Sequence, residues 1–158
     1  MTLRIGDPVP DFSLRDQHGQ RWSLAALRGE GPVLLVFFPF AFSGVCTGEL
    51  RELRDDGHRI ARAGGQLLAV SCDPMFSLRV FADQDGLGFP LLSDFWPHGE
   101  VARAYDAFDP QHGCPTRSSF VIDADGQLRW SVHNPMGESR TVDAYVDALD
   151  QLHATRGA

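Results

Sequence analysis

Short apolar runs along the chain predict strands that are buried in a sheet. Val33–Phe38 is apolar throughout, which is typical of a strand whose two faces are both covered. Two of the later runs flank the turn sequence Asp125-Gly126, which favours a hairpin. The predicted strands are Val33–Phe38, Gln66–Ser71, Phe89–Ser93, Ser118–Ile122 and Leu128–Val132.

Helical periodicity occupies the segments between these runs. From Cys46 to Gly64, apolar and small residues recur at helical spacing, which predicts one helix that ends at Gly64-Gly65. At the N-terminus, two short apolar segments flank the turn-like Gln17–Gln20 and predict a hairpin of Phe12–Leu14 with Trp22–Leu24. Further helices are predicted over Ser77–Asp85, over His98–Tyr105, and along the stripe Val142, Tyr145, Val146, Leu149 and Leu152.

The alternation of strands and helices defines the expected fold class. It predicts an α/β protein with a mixed central sheet, helices on both faces and an N-terminal hairpin, which is a thioredoxin-like architecture. No repeat, low-complexity tract or long linker interrupts the 158 residues. We therefore expect residues 1–158 to form a single domain.

Composition and charge exclude several classes of protein. The net charge is −7, and the 14 basic residues are all scattered arginines, which disfavours a general nucleic-acid role. No apolar run approaches the ~20 residues of a membrane span. The first ten residues show no secretory signal. We expect a cytoplasmic protein that binds neither nucleic acid nor a membrane.

The three cysteines are expected to be free thiols. They lie far apart and include no C-x-x-C pair, which disfavours a thioredoxin-type dithiol and the common zinc spacings. The six histidines, including His98 and His112, show no ligand spacing either. We expect no bound metal and no cofactor.

Cys46 is the cysteine whose position suggests chemistry. It lies where a buried strand gives way to a helix. The first turn of a helix offers free N–H groups and the positive end of the helix dipole, and both favour the thiolate, which is the nucleophilic form. On this evidence alone, Cys46 could equally be a small apolar residue on a buried stripe.

The segment around Cys46 carries a family resemblance. Pro39-Phe40-Ala41-Phe42-Ser43-Gly44-Val45-Cys46 resembles the P-x-x-x-[ST]-x-x-C pattern of the peroxiredoxins, and it follows a buried strand and opens a helix. The stretches Val36–Phe42 and Phe89–Gly99 resemble in particular the AhpE-type, one-cysteine branch. The resemblance extends from about Gly6 to about Leu152.

The resemblance implies a thiol-dependent peroxidase. Cys46 would reduce hydrogen peroxide and organic hydroperoxides and become a sulfenic acid. Ser43 would donate to the thiolate or bind a peroxide oxygen, although it could instead cap the helix. Pro39 would shape and shield the pocket, or it could simply end the strand.

The resemblance also implies that Arg117 and Glu49 belong to the site. Peroxiredoxins are similar in placing an arginine just before the strand that starts near Ser119, and it converges on the cysteine. Arg117 would stabilise the thiolate and polarise the O–O bond. Glu49 would orient Arg117 through a salt bridge, although it could also be a solvated glutamate. Every other arginine is expected at the surface.

The sequence does not determine which thiol would reduce the Cys46 sulfenic acid. The resemblance implies one-cysteine cycling with an external thiol, either a low-molecular-weight thiol such as mycothiol or a glutaredoxin- or thioredoxin-like protein, and it implies a homodimer. Cys114, in the loop before Arg117, is the alternative resolving thiol, whereas Cys72 is expected in the core or the pocket lining. A thiol–disulfide oxidoreductase and a non-catalytic thioredoxin-like module are the remaining alternatives.

Overall fold

The computed structural model describes residues 3–156 of the chain. No helix within those residues is long and apolar enough to cross a membrane. The elements in chain order are β1 (Ser13–Arg15), β2 (Arg21–Ser23), α1 (Leu24–Leu27), β3 (Val33–Phe37), α2 (Gly44–Asp56), α3 (His58–Arg62), β4 (Gln66–Ser71), α4 (Met75–Asp85), β5 (Leu91–Ser93), α5 (Glu100–Ala104), β6 (Phe108–Asp109), β7 (Cys114–Pro115), β8 (Arg117–Ile122), β9 (Leu128–Asn134) and α6 (Val142–Arg156).

Seven of these strands form one mixed sheet in the order β2-β1-β5-β4-β3-β8-β9. β3, β4 and β5 are parallel to one another, whereas β8 and β9 are antiparallel to β3 and to each other. The N-terminal hairpin, β1 with β2, joins the sheet through β5. The predicted mixed sheet with an N-terminal hairpin is confirmed.

Apolar side chains cover both faces of the sheet. Leu34 and Val36 of β3 pack on one face in a core formed with α2, α4 and α6. Leu35 and Phe37 point to the other face and pack with α5 and the N-terminal segment. Because β3 is covered on both sides, every one of its residues is apolar and buried, which confirms the predicted helices on both faces.

The long helix predicted from Cys46 to Gly64 is wrong in one respect, because it is broken into α2 and α3 at Gly57. A Cβ atom at Gly57 would clash with the Leu53 carbonyl oxygen, so only glycine fits this bend. The apolar stripe nevertheless continues across the break, since Leu53 and Ile60 both pack in the same core.

Several short elements differ from the predictions. Leu24 was expected in the hairpin but begins α1, where the Ser23 hydroxyl accepts a hydrogen bond from Ala26 N at 3.2 Å. The two-residue strands β6 and β7 were not predicted, and α4 begins two residues before Ser77. One turn of helix or two paired residues are too short to show a period, which is why the sequence pattern misses them.

The sheet register places the candidate residues at one edge. β3 ends at Phe37 and leads into α2, so Cys46 lies beyond the carboxyl end of β3. Val36 pairs with Ser119 of the antiparallel β8, and Arg117 therefore lies at the same edge of the sheet. Residues separated by about seventy positions in the sequence meet there.

Candidate active site

The start of α2 holds Cys46 in an electropositive position. Ser43 is the N-cap residue, and Thr47 N donates to Ser43 O at 2.9 Å as the helix begins. Cys46 therefore lies in the first turn, where backbone N–H groups lack acceptors within the helix. Its side chain is fully buried, at 0% exposure. The sulfur is therefore shielded from bulk water and lies beside the positive end of the helix dipole.

Arg117 is the cation that contacts Cys46. Its Nη2 lies 3.4 Å from Cys46 Sγ, and the arginine is itself buried. Arg117 Nε donates to the carbonyl oxygen of Met136 at 3.0 Å, and Nη1 donates to Glu49 Oε1. Contacts along the whole guanidinium group fix its orientation, so one edge faces the sulfur.

Glu49 lies one turn after Cys46 and joins two arginines. Besides Arg117, it accepts hydrogen bonds from Arg140 N at 2.7 Å, Arg140 Nε at 2.9 Å and Arg140 Nη2 at 2.9 Å. Burial by itself would raise the pKa of Glu49, but the hydrogen bonds and charge of Arg140, with the charge of Arg117, lower that pKa below its ordinary value. Glu49 is therefore a carboxylate, and the predicted ion pair with Arg117 is present.

Arg140 is the functional-site residue that sequence reasoning missed. The expectation that it lies at the surface is wrong, because it is buried and also donates to Ser118 O at 2.8 Å and Ser119 Oγ at 2.9 Å. It follows an exposed loop that shows no apolar pattern, so no signal in the sequence marks it. Two guanidinium groups share the single Glu49 carboxylate, which leaves one positive charge unbalanced beside Cys46.

Ser43 and Pro39 flank the site without contacting the sulfur through a hydrogen bond. The Ser43 hydroxyl donates to Phe40 O at 3.0 Å, and its side chain does not cap the helix although it occupies the N-cap position. Pro39 is buried just beyond β3. The structure thus brings together Cys46, Arg117 and Glu49, and it leaves the Ser43 hydroxyl turned toward the loop backbone.

Asp73 ties the loop before α2 to the end of β4. Its Oδ2 accepts hydrogen bonds from Ala41 N at 2.9 Å and from Ser71 Oγ at 2.7 Å. Its carbonyl oxygen accepts one from Ser93 Oγ at 2.6 Å. This carboxylate, which the sequence analysis did not single out, fixes the middle of the Pro39–Cys46 segment.

The same loop contains a strained residue. Phe42 has a φ of 69°, a left-handed conformation that bulky residues rarely adopt. Its ring is half exposed and packs on Phe81 with the ring centroids 5.0 Å apart. Four residues further along the chain, Cys46 has no exposed surface.

The other two cysteines are buried and unpaired thiols. Burial, followed by the charge of Asp94, raises the pKa of Cys72 to about 12. Burial, followed by the charges of Asp109 and then Cys46, raises the pKa of Cys114 to about 11. Both groups are therefore poor nucleophiles near neutral pH, because the thiolate is the reactive form.

The histidines considered above have protein partners. A ring nitrogen of His98 lies 2.7 Å from Gly113 O, and His112 Nδ1 lies 2.6 Å from Asp109 Oδ2. Within residues 3–156, no group of three or more His, Cys, Asp or Glu side chains is arranged to hold a metal ion.

A thioredoxin-like sheet with a buried cysteine at a helix start, beside an arginine, defines a class of thiol-based redox proteins. Residues 5–131 match the AhpC/TSA family, and the chain belongs to this peroxiredoxin family. The chain is 45% identical over 152 residues to alkyl hydroperoxide reductase E of Mycobacterium tuberculosis, which covers 96% of this chain and 99% of that protein. It is 37% identical over 134 residues to peroxiredoxin Bcp of Escherichia coli, covering 80% and 83% respectively.

Solved structures agree with this assignment. Peroxidoxin BcpB of M. tuberculosis is similar with a TM-score of 0.80 and 33% identity, over 96% of this chain and 97% of that chain. AhpC of Enterococcus faecalis is similar with a TM-score of 0.88 and 27% identity, over 100% and 98%. The predicted thioredoxin-like fold and the predicted enzyme class, a thiol-dependent peroxidase, are confirmed.

Proposed function

We propose that this protein reduces hydrogen peroxide and organic hydroperoxides with Cys46 as the nucleophile. The observation that carries the proposal is the placement of Arg117 Nη2 3.4 Å from Cys46 Sγ, at the start of α2. A buried guanidinium and a helix N-terminus acting on one sulfur stabilise the thiolate and the charge that develops on an adjacent oxygen. The name of the M. tuberculosis relative, alkyl hydroperoxide reductase E, supports organic hydroperoxides as substrates.

The proposed reaction is a displacement on the terminal peroxide oxygen. The Cys46 thiolate attacks that oxygen, an S–O bond forms and the O–O bond breaks. The leaving oxygen takes up a proton as water or an alcohol, and Cys46 becomes a sulfenic acid. Arg117 would support the departing charge, while the Cys46 backbone N–H and the Ser43 hydroxyl, once rotated away from Phe40 O, would hold the peroxide. Pro39 would keep water from that side of the pocket.

An external thiol would then reduce the sulfenic acid. The raised pKa values of Cys72 and Cys114 support this proposal, because thiols that stay protonated compete poorly with a soluble thiolate. The reductant would be a low-molecular-weight thiol or a glutaredoxin- or thioredoxin-like protein. The expected cytoplasmic location stays a prediction.

The decisive test replaces Cys46 with serine and measures hydroperoxide consumption in the presence of an external thiol. We expect turnover to be lost while the far-UV circular dichroism spectrum stays unchanged, because a serine hydroxyl is not ionised at neutral pH. Cys72→Ser is the matched control and should retain turnover. Turnover that survives in the Cys46→Ser variant would assign the activity to another group.

The two alternative functions give different results in simple assays. A thiol–disulfide oxidoreductase would reduce insulin, whereas we expect no insulin reduction from a site that lacks a C-x-x-C dithiol. A non-catalytic module would leave Cys46 unreacted after one equivalent of hydrogen peroxide, whereas we expect its thiol to be consumed within seconds.

A second copy of this chain is the proposed macromolecular partner. An apolar groove of about 480 Å³ lies beside the loop after β5 and is lined by residues that include Met75, Phe76, Phe95 and Trp96. Phe76 is 75% exposed and Trp96 is 82% exposed, which is unusual for large apolar side chains on one surface. We expect a homodimer in sedimentation velocity, and Trp96→Glu should shift it toward the monomer.

A further inference from the structure

The two tyrosines of the chain are both buried, and they lie on opposite faces of the sheet. Tyr145, on α6, belongs to the core formed with α2, whereas Tyr105 belongs to the core on the other face. The Tyr105 hydroxyl donates to the carbonyl oxygen of Pro10 at 2.6 Å. The Tyr145 hydroxyl instead lies 2.8 Å from the Ser119 hydroxyl, and either group can donate. Tyr145 is therefore the tyrosine whose hydroxyl is bonded to a side chain of β8, the strand that carries Arg117.

Ser119 connects Tyr145 to the charged groups beside Cys46. It lies two residues after Arg117 on β8, so both side chains point to the same face of the sheet. Ser119 is fully buried, and its hydroxyl accepts a hydrogen bond from Arg140 Nη1 at 2.9 Å. The hydroxyl thus lies between a phenol on one side and a guanidinium group on the other.

Arg140 is held along two edges of its guanidinium group. Nε and Nη2 donate to the Glu49 carboxylate, each at 2.9 Å. Nη1 donates to Ser118 O at 2.8 Å and to the Ser119 hydroxyl. Because the donors of a planar guanidinium have fixed directions, these acceptors on β8 set how Arg140 meets the carboxylate. Arg117 binds the same oxygen, Glu49 Oε1, that accepts the bond from Arg140 Nη2.

A displaced Arg140 would change the charge beside Cys46. The Glu49 carboxylate, one helical turn away, would be less compensated, and its negative charge would act more strongly on the sulfur. It would also attract Arg117 more strongly, although Arg117 Nη2 is the donor 3.4 Å from Cys46 Sγ. Both changes make a negative charge on the sulfur less favourable. Cys114 also interacts with Cys46, but it stays protonated near neutral pH because burial raises its pKa to about 11.

The packing of Tyr145 makes its hydroxyl a fixed partner for Ser119. The tyrosine is 2% exposed, and its ring packs edge-on against Trp130 with the ring centroids 6.0 Å apart. Burial raises the pKa of Tyr145 above its ordinary value, although the charge of Arg140 opposes this shift. The phenol is therefore neutral near neutral pH and acts through its hydrogen bond rather than through a charge.

We propose that Tyr145 and Ser119 are positioning residues for the proposed peroxidase reaction. Their paired hydroxyls hold Arg140 in the orientation in which it shares Glu49 with Arg117. They act through the two guanidinium groups rather than on the substrate. The inference rests on the proposed function, because it gives these hydroxyls an effect on the reactivity of the site thiol.

The test compares Tyr145→Phe with Tyr105→Phe in the full-length chain. Each substitution removes one buried hydroxyl and keeps the ring, so both should lower the urea midpoint by similar amounts. Stopped-flow measurements between about pH 5 and pH 9 give the second-order rate constant for hydrogen peroxide and its pH profile. In Tyr145→Phe, the rate at neutral pH should fall about three- to tenfold and the profile should move to higher pH, because a larger share of the sulfur stays protonated. Tyr105→Phe should keep the wild-type rate and profile.

Ser119→Ala tests whether the two hydroxyls act as one unit. It should slow the reaction and move the pH profile in the same direction as Tyr145→Phe, and it provides the same comparison if Tyr145→Phe does not fold. The double variant should be no slower than the slower of the two single variants, because both substitutions interrupt the same chain of hydrogen bonds.

The outcomes separate this inference from the proposed function. A rate and pH profile that are the same in Tyr145→Phe and Tyr105→Phe, or losses that add in the double variant, would overturn the positioning role and leave the peroxidase function standing. A wild-type chain in which the Cys46 thiol survives hydrogen peroxide would overturn the proposed function, and this inference with it.

Discussion

Replacing Glu49 with glutamine removes the negative charge that two buried guanidinium groups share. The carboxylate accepts four hydrogen bonds, one from Arg117 and three from Arg140. The amide keeps one acceptor oxygen and turns an NH₂ group toward donors. Breaking a buried charge pair by removing one partner costs about 3–5 kcal/mol. We expect a loss of that size in the free energy of unfolding for Glu49→Gln.

Urea unfolding at pH 7 measures this loss. With a slope of about 2 kcal/mol per molar urea, the midpoint should fall by roughly 1.5–2.5 M. Glu52→Gln is the matched control, because Glu52 is exposed on the same helix and accepts one hydrogen bond, from Val142 N at 3.2 Å. It should cost less than about 1 kcal/mol. Equal losses in the two variants would refute the charge-sharing argument.

The pH dependence of the free energy of unfolding is a second test of the Glu49 carboxylate. The folded pKa of Glu49 is depressed below its ordinary value of 4.5. The stability that this carboxylate contributes is therefore complete above that value and is lost as the pH falls through the folded pKa. The difference between wild type and Glu49→Gln should be largest near neutral pH and shrink below about pH 4.5.

Two further predictions concern the site and the helix break. Arg117→Ala should slow the second-order reaction with hydrogen peroxide more than tenfold in stopped-flow measurements, which raises the activation free energy by ~1.4 kcal/mol or more. Arg79→Ala is the control, because Arg79 is exposed, and it should leave the rate unchanged. Gly57→Ala should lower the free energy of unfolding by about 1–3 kcal/mol in urea titrations, because its Cβ would clash with the Leu53 carbonyl oxygen. Gly48→Ala, where a Cβ meets nothing within 4 Å, should instead stabilise α2 by about 0.5–1 kcal/mol. An unchanged rate in the first variant, or equal midpoints in the two glycine variants, would contradict these expectations.

The amino-acid sequence determined the main elements of this protein and marked Cys46 as the proposed nucleophile. The continuous apolar run of β3 marks a strand with two covered faces, because no polar residue could be solvated on either side. The segment from Pro39 to Cys46 marks the thiol through its resemblance to the peroxiredoxin pattern, because its place between a strand and a helix would equally suit a buried apolar cysteine. Such features depend on neighbours in the sequence, so a pattern can show them.

Only the tertiary structure decided which distant groups surround that thiol. Arg140 lies in a segment without periodicity, yet it is buried because the turn before α6 folds over Glu49. Likewise, the helix breaks at Gly57 because the backbone there comes too close to the Leu53 carbonyl oxygen for any side chain. The apolar stripe that continues from Leu53 to Ile60 gives no sign of this break. The net charge beside Cys46 depends on residues that are distant in the sequence. Arg117 and Arg140 bind Glu49 across 68 and 91 positions of the chain. A sequence pattern specifies each residue's local conformation, whereas the electrostatics of a buried site depend on distances that only the packed fold fixes.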